Sequence, residues 1–83
     1  MTPDAEYVRV MTTDLREASA SAYEQVAEEL ETAARHCRTA AQHLRDGEIP
    51  RLAAHAWAAF GHLRTAEAAL TEQAQIHADR SRP

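Results

Sequence analysis

Asp46-Gly47-Glu48-Ile49-Pro50 is the stretch whose reading decides the fold. It is the one place in the middle of the chain where Gly and Pro fall close together, between two long helical patterns. Gly47 can close a helix in the left-handed conformation at little steric cost. Arg45 suits the last turn of the incoming helix, where a cation complements the dipole. Pro50 lacks an N–H and has a fixed φ, so it suits the first turn of the next helix, with Asp46 or Glu48 as its cap. A connection this short predicts two helices lying side by side and antiparallel.

Working outward on the N-terminal side, Ser21-Ala22-Tyr23-Glu24 has the capping-box pattern. From there Tyr23, Val26, Leu30, Ala33, Cys37, Ala40 and Leu44 recur at steps of three and four, an a/d stripe that predicts a helix over 21–46. Acidic residues crowd its first half and Arg35, Arg38 and Arg45 its second, as the macrodipole favours. Before it, Thr2, Pro3 and Asp4 read as a helix start, and Val8, Met11, Leu15 and Ala18 share a face. That predicts a short helix or arm over 4–18, its stripe one residue out of phase with the next; the alternative is a segment that runs straight into the next helix.

On the other side, Ile49, Leu52, Ala56, Ala59, Leu63, Ala66 and Leu70 predict a helix over 50–78, followed by a frayed tail over 79–83. Leu30, Leu44, Leu52, Leu63 and Leu70 are therefore expected between the two long helices. A second apolar strip, Ala53, Trp57 and Phe60, lies beside this stripe and needs a further partner. Of the 83 residues, 19 are Ala, so large apolar side chains are too few for a lone hairpin to build a sizeable core. The expected fold is all-α: a long antiparallel helical hairpin with an N-terminal helix or arm, two copies pairing into a four-helix bundle through Ala53, Trp57 and Phe60.

The histidines are the most informative polar residues. His36 and His43 are seven apart, as are His55 and His62. Opposite residues in an antiparallel pair have numbers of constant sum. His36 with His62 and His43 with His55 both give 98, and half of that, 49, falls in the turn. These four residues are thus expected along one seam, at positions flanking the stripe. They are candidate ligands for a transition metal, with Cys37, a Glu or a second chain completing the four that zinc prefers. The plain alternative is half-buried imidazoles beside a narrow seam. Neither the helical ExxH of di-iron bundles nor HExxH occurs.

Cys37 cannot form an internal disulfide, and its core-like position reads as a small buried hydrophobe. No orienting residue or oxyanion site accompanies it, so nucleophilic catalysis is not expected. Trp57-Ala58-Ala59-Phe60-Gly61 resembles the start of a tetratricopeptide helix over these residues. No second copy follows at a roughly 34-residue period. Net charge is −4, which argues against a nucleic-acid surface. No apolar run reaches the roughly 18 residues of a membrane span. Residues 1–20 carry Asp4, Glu6, Arg9, Asp14, Arg16 and Glu17, so no secretory leader is expected and a reducing, cytoplasmic setting is. Without a catalytic set or a phosphate-binding loop, the expected function is a small non-catalytic interaction or regulatory module working as a homodimer, with a protein partner as a further candidate. The alternative is a metal- or redox-responsive bundle using the histidine seam and Cys37.

Overall fold

Two helical patterns meeting at one Gly should give two rods and a corner. The computed structural model describes residues 5–80, except for the side chains of Tyr7, Val8, Val10 and Met11. Helix α1 spans Ala5–Arg45 and helix α2 spans Ile49–Arg80, packed against each other as a hairpin. Among the described residues there is no strand. The hairpin measures 68 × 20 × 14 Å, so it is a single layer of helices.

The corner is a Schellman turn. Gly47 takes φ +76°, the left-handed region that costs an L side chain. Its N–H donates to Leu44 O at 3.1 Å, and the Glu48 N–H donates to His43 O at 2.8 Å. These two bonds satisfy carbonyls that the end of α1 would leave open. Glu48 then sits at the N-cap of α2, its carbonyl accepting from the Leu52 N–H at 3.1 Å.

Three expectations need correction. First, no break occurs near Ser19–Ser21: the arm and the first long helix are one helix, and α2 begins at Ile49 and runs to Arg80. Ser19, Ser21 and Ala22 are half-buried against α2, and Ser19 borders a small cavity with Gln73 and Ile76. Docking on α2 outweighs the local preference of Ser for a cap. The proposed helix start at Thr2–Asp4, the Val8 and Met11 side chains and residues 81–83 of the tail lie outside the described residues.

Second, the register is rotated. The residues that fill the seam are Val26, Ala33 and Ala40 from α1, and Ala59, Ala66 and Gln73 from α2, all buried. Half-buried Ala22, Glu29, His36 and His43 alternate with the first set, and His55, His62, Ala69 and Ile76 with the second. This makes one unbroken three-four stripe per helix, with no phase slip at Ser19–Ser21. The histidines therefore occupy the seam itself rather than its flank. Of the leucines expected in the seam, Leu52 is half-buried, whereas Leu30, Leu44, Leu63 and Leu70 are 42–56% exposed. Ala at four of the contact positions favours close approach of the helix axes, and these four leucines lie one position outside that contact. Third, Cys37 is exposed on the leucine side instead of buried.

Candidate functional site

Two features follow from this register. The first is in the seam. Each helix presents the same pattern, Glu-x6-His-x6-His: Glu29, His36 and His43 from α1, and Glu48, His55 and His62 from the turn and α2. The seven-residue spacing keeps all three on one face of an antiparallel pair, so the two triplets mesh head to tail.

Hydrogen bonds join partners whose numbers sum to 91. His62 Nδ1–H donates to Glu29 Oε2 at 2.6 Å. His43 Nδ1–H donates to Glu48 Oε2 at 2.9 Å. Between them the Nδ1 atoms of His36 and His55 lie 3.0 Å apart, one donating its proton to the lone pair of the other. Ring contacts join the rungs. His36 stacks on His62 at 5.6 Å between centroids and His43 on His55 at 5.2 Å. The structure thus brings together both histidine pairs expected from the constant sum, and adds a third contact between them. The result is a ladder of three rungs, Glu29–His62, His36–His55 and His43–Glu48. Arg51 approaches the outer carboxylate, Nη1 to Glu48 Oε2, at 3.5 Å.

Glu29 and Glu48 did not figure among the expected site residues. Each lies seven residues before a histidine already singled out, so extending that repeat by one step finds both. Every Nδ1 in the ladder has a hydrogen-bond partner, and among the described residues no three His, Cys, Asp or Glu converge as metal ligands. The chemistry this arrangement offers is the sharing of protons along a line of imidazoles closed at each end by a carboxylate.

The second feature is the side of the hairpin next to the seam. Tyr23, Leu30, Cys37 and Leu44 on α1 face Ile49, Ala56, Leu63 and Leu70 on α2, with Ala53 and Phe60 beside them. Leu30, Ala34, Cys37, Ala56, Phe60 and Leu63 line a groove of about 500 Å³. A second groove of about 530 Å³ adjoins it around Leu52, Ala53 and Trp57. Trp57 is 75% exposed and meets Phe60 at 6.4 Å between rings. Arg64 lies over the Phe60 ring at 5.4 Å, the distance of a cation–π contact. The rows on the other side of the seam are Gln25, Thr32 and Thr39 on α1 and Arg51, Ala58, Thr65 and Glu72 on α2. The hairpin is therefore amphipathic across its width.

Among the described residues, no helix is long and apolar enough to cross a membrane. Comparison with known families, with curated proteins and with solved structures found no match to this chain.

Proposed function

We propose that this protein is a non-catalytic helical interaction module that works as a homodimer, its leucine-bearing faces meeting to form a four-helix bundle. One observation carries the reading: the buried seam holds four alanines with Val26 and Gln73, while Leu30, Leu44, Ile49, Phe60, Leu63 and Leu70 stay exposed on one outer side. Stable domains bury such a face against a second layer of secondary structure. A contiguous apolar face of this kind marks an interaction surface.

A second copy is the occupant that fits. The face covers residues 23–44 of α1 and 49–70 of α2, about 33 Å of helix across a layer 20 Å wide, on the scale of the roughly 800 Å² per partner of a stable interface. Two such layers stacked give the ordinary proportions of a four-helix bundle. A two-fold axis presents the same patch on both sides, so no separate complement is needed. Leu30, Cys37, Phe60 and Leu63 form the centre, with Ala53 and Ala56 permitting close approach; Trp57 lies towards the rim.

Sedimentation equilibrium at micromolar concentration tests the proposal. The expected mass is twice the 9.2 kDa of one chain. Leu30→Glu with Leu63→Glu is expected to give monomer or unfolded chain, and Trp57→Ser with Phe60→Ser a dimer at least tenfold weaker. A wild-type mass of one chain overturns the proposal. A dimer unchanged in both variants places the contact on another face.

A further inference from the structure

We propose that the histidine ladder is a proton-operated latch: it closes the hairpin when the imidazoles are neutral or partly protonated and opens it when the last one is charged. The argument is a count of sites. With neutral imidazoles, His62 and His43 each use Nδ1–H towards a carboxylate, and His36 and His55 share one proton between two Nδ1 atoms 3.0 Å apart. An extra proton on His62 and another on His43 turn these end rungs into imidazolium–carboxylate pairs, which are stronger hydrogen bonds than neutral ones. A third can go to the ring that already donates at the central rung, leaving that bond in place. A fourth can go only onto the accepting Nδ1 lone pair. Two N–H groups then face each other at hydrogen-bond distance, and the bond becomes a repulsion between like charges.

The charged groups around the central rung are few. From α1 come Glu29, His36 and His43; from the turn, Glu48; from α2, His55 and His62, with Arg51 acting through Glu48. The rest of the seam beside the rungs is Ala33, Ala40, Ala59 and Ala66, which offer no countercharge. Stacking at 5.2–5.6 Å places an imidazolium at each end beside a member of the central pair, so the end charges add to the repulsion rather than relieve it.

An unfolded chain takes up all four protons freely as pH falls through the ordinary imidazole range near pH 6.5. The folded ladder accommodates three. The state that binds more protons gains as pH drops, so the central rung makes the hairpin less stable in acid. At each end rung an added proton leaves the bond to the carboxylate in place. The latch is thus a weak centre held between two acid-tolerant ends.

Thermal unfolding at about pH 7.5 and about pH 5, at one fixed protein concentration, tests the latch. The expected result is a wild-type midpoint that falls on acidification by roughly 4–8 °C relative to the change in His36→Leu with His55→Leu, which lacks the central rung. Glu29→Gln with Glu48→Gln is expected to deepen the wild-type fall. Equal acid sensitivity in the wild type and the leucine pair overturns the proposal. Histidine ring resonances of the wild type supply the direct reading, whether or not the leucine pair folds. One ring of His36 or His55 is expected to stay neutral until the hairpin opens; both rings charged in an intact hairpin overturn the latch.

Discussion

Gly61 lies inside α2, and a Cβ built on it meets no atom within 4 Å. Neither a positive φ nor a close approach requires Gly there. Gly61→Ala is therefore expected to stabilise the protein by about 1 kcal/mol through helix propensity alone. That corresponds to a rise of roughly 4–8 °C in a thermal melt; an unchanged or lower midpoint would show that the site is covered in the assembled protein. Gly47 is the contrasting case, and its role was legible from five residues of sequence because the turn is decided locally. Cys37 was not legible in the same way. Its type and spacing suit either a seam or the stripe beside it, and only the rotation of the helix decides between them.

That rotation belongs to the scale of the helices. Val26, Ala33 and Ala40 lie on both the expected stripe and the observed one, so half of the seam was readable. The other half depends on whether Leu30, Cys37 and Leu44 or Glu29, His36 and His43 turn inward. Counting hydrophobicity favours the leucines, because it scores burial without asking which burial is within the chain. Ala33, Ala40, Ala59 and Ala66 favour a close helix spacing, and the imidazoles beside them are held by hydrogen bonds across it. The histidine pairing was nevertheless legible, since the constant sum depends on the turn and not on the rotation. The same close spacing predicts the outcome of overfilling. Ala66 is 1% exposed, and Ala66→Leu is expected to cost about 1–3 kcal/mol by forcing the helices apart. Urea denaturation reads that cost, and a variant as stable as wild type would mean that the seam is slack.

At the scale of the whole molecule, a layer 14 Å thick has two broad sides and almost no inside. Most of the chain's large apolar side chains stand on one of those sides, so their burial depends on something the hairpin does not contain. Sequence periodicity reveals such a face but carries no record of what meets it, which is why the fold was more legible than the role. Cys37 reports on the meeting directly. It is exposed in the single chain and lies at the centre of the proposed interface. Its reaction with a thiol reagent is expected to slow at least tenfold as protein concentration rises through the dimerisation range, and to stay fast in Leu30→Glu with Leu63→Glu. A rate that does not depend on concentration would remove Cys37 from the interface.

The tight corner at Gly47 also decides how many molecules a ladder needs. The stacked imidazoles pair about residue 49 and the hydrogen-bonded rungs about residues 45–46, on either side of the corner. If the corner straightens, the chain becomes one unbroken rod. Two rods laid head to tail then recover every rung twice, His36 of one beside His55 of the other and the reverse. Exchange of helices leaves each hydrogen bond and each stacked ring as it was, and alters only which molecule supplies either half. The left-handed bend at Gly47 keeps both halves at home, and crowding molecules together is the force that competes with it.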